Sequence, residues 1–117
     1  MIETDHQPYT LLGYGLNGEF ESQTEEQIRD QMEVNFFGLI KVTKKALEHM
    51  RDNGKGGVIQ QVTSIGGQVG VPLYSSYCAS KWAVEGFTEA VSKELKPEWN
   101  IKLSECDRVR CLWKQIY

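Results

Sequence analysis

Tyr77 and Lys81 stand four residues apart in the stretch Tyr-Cys-Ala-Ser-Lys, and Ser64 precedes the tyrosine by thirteen. On a helix, a spacing of four puts two side chains on one face. A phenol is a poor acid or base near neutral pH because its reference pKa is about 10. An ammonium beside it favours the phenolate. So paired, Tyr77 is suited to exchange a proton with an alcohol or carbonyl oxygen. A hydroxyl such as that of Ser64 can hold the same oxygen by a hydrogen bond. A tyrosine and a lysine one helical turn apart are by themselves ordinary neighbours. The chemical reading gains weight only from Ser64 and from Asn35, an amide inside the apolar run Val34-Asn35-Phe36-Phe37.

The elements that must position these groups are legible from pattern. Thr24, followed three residues later by Gln27, fits a capping box, and Glu25 and Glu26 suit the positive end of a helix. Apolar residues recur at near-helical spacing through Ile28, Met32, Phe36, Leu39, Ile40, Leu47 and Met50. Asn53-Gly54 supplies a stop. The middle of this predicted helix is apolar nearly all round, which predicts burial on both sides. Val58 to Thr63 reads as a short strand, weakened by Gln60 and Gln61, that delivers Ser64 at its carboxyl end. Residues 64–73 form a loop with three glycines and a proline. A second long helix runs from Tyr74 to Lys96 and is stopped by Pro97. Ile101 to Leu103 begins another strand. Residues 104–117 show no assignable pattern, and the first dozen residues show no periodicity. Strands alternating with long helices predict a parallel α/β arrangement, in which ligands sit beyond the carboxyl ends of strands. That is where Ser64 falls.

Tyr77-Cys-Ala-Ser-Lys81 is similar to the YxxxK motif of the short-chain dehydrogenases/reductases. Ser64 in Val-Thr-Ser-Ile-Gly-Gly resembles that family's catalytic serine at its usual distance before the tyrosine. Asn35 looks like the asparagine of the preceding helix. Gly13-Tyr14-Gly15 resembles the end of an Asn-Asn-Ala-Gly segment. The resemblance runs from about residue 13 to 103. It implies a partial Rossmann-like, doubly wound parallel sheet, the middle portion of such a domain, with residues 1–117 as one unit. It implies NAD or NADP as cofactor, an alcohol or carbonyl small molecule as substrate, and hydride transfer between the two. Tyr77 would be the proton donor or acceptor. Lys81 would bind the nicotinamide ribose, Ser64 would position the substrate oxygen, and Asn35 would complete a proton relay through water. Tyr77, Lys81 and Gly13 would touch the cofactor.

The departures are as informative. A glycine-rich turn of the kind that receives a pyrophosphate at a helix N-terminus is not found. Thr10-Leu11-Leu12-Gly13 stands in place of Asn-Asn-Ala-Gly, and Glu105-Cys106-Asp107 follows where a Pro-Gly motif is expected. These departures open a second reading: a catalytically silent partial chain that pairs with a full-length relative. Ala79, Ala83, Gly86 and Ala90 form a strip of small residues along the second helix, and the resemblance implies a homodimer packed through it.

Composition narrows the remaining classes. With 13 Lys and Arg against 16 Asp and Glu, and a net charge of −3, the chain lacks the basic footprint of a nucleic-acid binder. No apolar stretch is long enough to span a bilayer, and the N-terminus has no secretory pattern. Three cysteines without CxxC spacing (Cys78, Cys106, Cys111), and the separated His6 and His49, predict reduced thiols, surface histidines and no metal site. That is the usage of a cytoplasmic protein.

Overall fold

The computed structural model describes the backbone of residues 2–4, 7–9, 15–62 and 67–106, with side chains described over 15–62 and 67–105. Gly13, Ser64, His6, Cys111 and the side chain of Cys106 lie outside the described residues.

The first helical stretch begins as its sequence predicts. Gln27 N–H donates to Thr24 Oγ1 at 3.1 Å, and Thr24 N–H donates to Gln27 Oε1 at 2.9 Å. This reciprocal cap satisfies two donors that a helix start otherwise leaves unpaired. Helix α1 (Glu25–Met32) passes through a single wider π turn (Glu33–Phe37) into α2 (Gly38–Asn53). Gly54, at φ 71°, closes α2 in the left-handed conformation. The buried residues are Gln31, Asn35, Leu39, Thr43, Ala46 and Met50. The first four recur at intervals of four, which on a regular helix would drift by roughly 40° per step. The π turn takes up that drift, so one stripe stays inward. The expectation of burial on both sides is corrected here. Val34 is 50% exposed and Phe37 47% exposed, because among the described residues only one side of this helix is covered.

Strand β1 (Ile2–Thr4) pairs antiparallel with β2 (Gln7–Tyr9), with Ile2 opposite Tyr9 and Thr4 opposite Gln7. β1 also runs antiparallel to β3 (Gly57–Val62), with Ile2 opposite Ile59. β3 and β4 (Ile101–Cys106) are parallel, in register from Gly57–Ile101 to Val62–Cys106. The order is β2-β1-β3-β4. The predicted parallel pair is present, joined by a helical crossover as geometry requires. The hairpin at the start is an addition: strands of three residues are too short to display alternation. β4 also runs past the predicted Leu103, since the ladder continues through the polar Ser104 and Glu105.

Helix α3 (Ser75–Glu94) is slightly shorter than predicted. Tyr74 lies outside helical geometry, and Leu95 and Lys96 are extended, as the residue before a proline prefers. Pro97–Trp99 makes a short 3-10 turn, and Asn100, at φ 52°, leads into β4. The core is Ala46, Met50, Ile59, Ile101 and Leu103, bordered by Leu47, Val91, Leu95 and Trp99. Met50, Ile59, Ile101 and Leu103 each contribute about 1.5–3 kcal/mol by burial, and Ala46 less. α2 and α3 therefore share one face of the β3–β4 pair, while Val58 and Lys102 point the other way and are exposed. Gln61, which looked misplaced in a strand, lies on the helix-facing side and donates to Thr43 Oγ1 at 2.8 Å. No helix among the described residues is long and apolar enough to cross a membrane.

Candidate active site

Tyr77 and Lys81 lie on the first turns of α3, one above the other. Lys81 Nζ sits 5.7 Å from the centre of the Tyr77 ring, close enough for a cation to feel the ring face. The lysine crosses to the sheet, where Nζ donates to the Val62 carbonyl oxygen at 3.4 Å, at the carboxyl end of β3. Only 7% of Lys81 is exposed. Burial disfavours its charged form and lowers its pKa from the ordinary lysine value. An ammonium donates three hydrogen bonds, so the Val62 contact leaves donor capacity for a ligand at the end of the strand.

Asn35 occupies the π turn, where single wide turns often mark functional positions. It is 3% exposed and donates from Nδ2 to Ser80 Oγ at 3.2 Å. Ser80 Oγ in turn donates to the Tyr77 carbonyl oxygen at 2.7 Å. A chain of polar contacts thus ties the asparagine to the backbone of the tyrosine. The structure places Asn35 against the turn of α3 that carries Tyr77 and Lys81. Ser64 and Gly13 lie outside the described residues, although Val62 places the strand end two residues before Ser64 beside Lys81.

Gly15, quoted above with Gly13, and several residues that sequence reasoning gave no site role surround this pair. Gly15 backs the Tyr77 ring: a Cβ placed there would lie 3.5 Å from the ring. Leu16 N–H donates to Gln31 Oε1 at 2.7 Å, and Gln31 is fully buried. Gly18 N–H donates to the Leu73 carbonyl at 2.8 Å, with Leu73 itself in the left-handed region at φ 69°. Gln23 Nε2 donates to the Gly18 carbonyl, and Ser76 Oγ donates to Gln23 Oε1. These bonds clamp residues 15–23 over the start of α3. Tyr74 meets Tyr77 edge to face, with centroids 6.1 Å apart. A signal was available for Gln31: a polar side chain four residues before Asn35, on the stripe that carries the core. Of the remaining sequence expectations, His49 is exposed as predicted, and Cys78 is a buried free thiol.

The arrangement resembles known proteins in sequence and in shape. The short chain dehydrogenase family model matches residues 12–107. An uncharacterized oxidoreductase of Schizosaccharomyces pombe is 50% identical over 92 residues, covering 79% of this chain and 32% of that protein. A 3-ketodihydrosphingosine reductase of Bacteroides thetaiotaomicron is 44% identical over 85 residues, covering 73% of this chain and 31% of that one. The chain thus spans about a third of the length of these curated relatives. A gluconate 5-dehydrogenase of Burkholderia cenocepacia, solved in complex with NADP and tartrate, superposes with a TM-score of 0.76 at 21% identity, covering 82% of this chain and 37% of that one. At that identity the likeness speaks for the fold, a Rossmann-like α/β sheet. With the motif, the geometry and the family match in agreement, the chain belongs to the short chain dehydrogenase family.

Proposed function

We propose that this chain carries the catalytic middle of an NAD(P)-dependent oxidoreductase that interconverts an alcohol and a carbonyl compound. The observation that carries the proposal is the stacked pair Tyr77 and Lys81 at the end of β3, braced through Ser80 by Asn35 in its π turn. Tyr77 exchanges the proton with the substrate oxygen. Ser64 holds that oxygen by hydrogen bond. Lys81 brings positive charge to the same place and turns its remaining donors toward the ribose hydroxyls. Asn35 belongs to the path by which the proton is replenished. Gly13 lies beside the cofactor, with Tyr77 and Lys81.

The donor set fits a dinucleotide: a buried ammonium at a strand end, and a glycine that leaves the tyrosine ring face uncrowded. When bound, the nicotinamide supplies the hydride chemistry. The solved gluconate 5-dehydrogenase of similar fold holds NADP, and the Bacteroides relative is named a reductase, both in keeping with this reading. A homodimer through the strip Ala79, Ala83, Gly86 and Ala90 belongs to the same proposal. Three of these four residues are exposed, beside an exposed Trp82. Cytoplasmic residence is proposed on the unpaired cysteine usage.

The test is a fluorescence titration of the folded chain with NADH and NADPH, circular dichroism confirming the fold. Saturable binding is expected, weakened by Lys81→Met and preserved by Tyr77→Phe, which deletes only the proton-transferring oxygen. A folded chain that binds neither dinucleotide refutes catalysis by this polypeptide alone.

A further inference from the structure

Residues 15–19 belong to no helix or strand, so their backbone N–H groups find partners outside any ladder. Leu16 N–H donates to Gln31 Oε1 at 2.7 Å, and Gly18 N–H donates to the Leu73 carbonyl at 2.8 Å. Gln31 is fully buried on the inward stripe of α1. A leucine could fill that place without desolvating an amide, whereas a buried glutamine costs free energy unless it is hydrogen-bonded. What its oxygen holds is therefore informative. Beside Leu16 stands Gly15, where a Cβ would lie 3.5 Å from Cδ2 and 3.8 Å from Cε2 of Tyr77. Four residues after Gln31, on the same stripe, Asn35 donates to Ser80 Oγ, which donates to the Tyr77 carbonyl. Two amide side chains on one stripe thus address one tyrosine, Gln31 through the segment against its ring and Asn35 through its backbone.

We propose that Gln31 is a positioning residue for Tyr77: by holding Leu16 N–H it keeps Gly15 against the phenol ring and so fixes the direction in which the hydroxyl faces a substrate. The inference rests on Tyr77 as the group that exchanges the proton. That exchange needs the phenol oxygen within hydrogen-bond reach of the substrate oxygen, and a small misplacement is costly. The oxygen sits at the far end of a ring that turns about its side-chain bonds, and a backbone held against the ring limits that turning. Gln31 acts through two backbone residues rather than by contact with the reacting atoms. Gln23 ties the other end of the segment, accepting from Ser76 Oγ and donating to the Gly18 carbonyl. The segment therefore stays attached when Gln31 is changed, and the effect is confined to the Gly15 end.

The experiment is solution NMR of the full chain without dinucleotide, with the Tyr77 ring signals assigned by Tyr77→Phe. The wild-type chain is expected to show nuclear Overhauser effects between the Gly15 α-protons and the Tyr77 ring, and a protected Leu16 amide. Gln31→Leu should abolish those effects and speed Leu16 amide exchange roughly tenfold or more, with the helices retained by circular dichroism. Gln31→Met, closer in shape, keeps the test available should the leucine variant fold poorly. Gln31→Glu in mild acid, where a buried carboxyl is neutral and still offers an acceptor oxygen, should keep the contact. Ile59→Val, which loosens the core away from the site, should also keep it. The proposal is overturned if the wild-type contact is absent or if it survives Gln31→Leu. It is equally overturned if Ile59→Val loses the contact too, or if neither the leucine nor the methionine variant folds, since Gln31 then serves the fold as a whole. None of these readouts needs a dinucleotide, so a failed NADH and NADPH titration with the contact intact counts against the enzymatic reading and not against the geometry.

Discussion

Gly54 and Gly56 have nearly the same backbone conformation, at φ 71° and 70°, yet alanine at the two positions should have very different effects. Both variants incur the left-handed penalty of an L-residue, roughly 1–2 kcal/mol. At Gly54 nothing lies within 4 Å of the new Cβ, so that penalty is the whole cost. At Gly56 the Cβ would stand 2.3 Å from the Asn100 carbonyl oxygen and 3.0 Å from its carbon, both backbone atoms that cannot swing aside. That same oxygen accepts the Gly57 N–H at 3.1 Å, at the start of the β3–β4 register. Displacing it adds about 1–3 kcal/mol of backbone strain and puts a hydrogen bond worth roughly 1 kcal/mol at risk. Gly56→Ala should therefore destabilise by about 3–6 kcal/mol, at least ~2 kcal/mol more than Gly54→Ala. Urea unfolding followed by far-ultraviolet circular dichroism measures the difference. With a slope of about 1–3 kcal/mol per molar urea, the two midpoints should differ by roughly 1 M. Equal losses at the two glycines would refute the close approach of Gly56 to Asn100, and with it the account of how the parallel pair is started.

Lys81→Met should raise stability at neutral pH, because burial opposes the ammonium charge. Since burial lowers the pKa of Lys81 in the folded state, the unfolded chain binds more protons between that lowered value and the ordinary 10.5. Wild-type stability should therefore rise with pH across that alkaline window, and the rise should vanish in the variant; unchanged pH profiles would contradict it. Asn35→Ala removes the donor to Ser80 Oγ and leaves a buried hydroxyl short of a partner, at a cost of about 1–3 kcal/mol read from urea midpoints. Thr24→Ala removes the side-chain oxygen that accepts from Gln27 N–H, while the backbone bond to Gln27 Oε1 stays available, costing about 1 kcal/mol. Hydrogen exchange should show faster opening confined to the first turn of α1.

The sequence disclosed local geometry more fully than the sheet. Tyr77 and Lys81 could be placed on one helix face because helical spacing is a local rule, whereas Asn35, more than forty residues away, was joined to them only by the family resemblance. The cap at Thr24 and the stops at Gly54 and Pro97 were legible by local rules as well. The hairpin β1–β2 was not, since three-residue strands carry no period and the pairing of β1 with Ile59 and Val58 is a contact across more than fifty residues. The exposure of Val34 and Phe37 was also hidden. An apolar side chain signals that it could be covered, and the covering layer is a property of the whole assembly. Gln61 misled in the opposite direction: it is a polar residue in the interior, accommodated by the Thr43 hydroxyl, a partner that the local sequence does not announce.

The wide turn at Glu33–Phe37 has a consequence for how this helix tolerates changes in length. A helix without it would advance each residue by about 100°, and removing one residue from the turn would rotate everything on one side of it by that amount. The half bearing Leu39, Thr43, Ala46 and Met50 would keep its hold on the strands. The half bearing Gln31 would then swing out of phase with it and lose its grip on Leu16. The turn acts as a gear tooth between two halves that mesh with different partners, one with the sheet and one with the loop over Tyr77. A one-residue deletion there would leave a helix that still forms and still packs, but with its Gln31 end out of alignment.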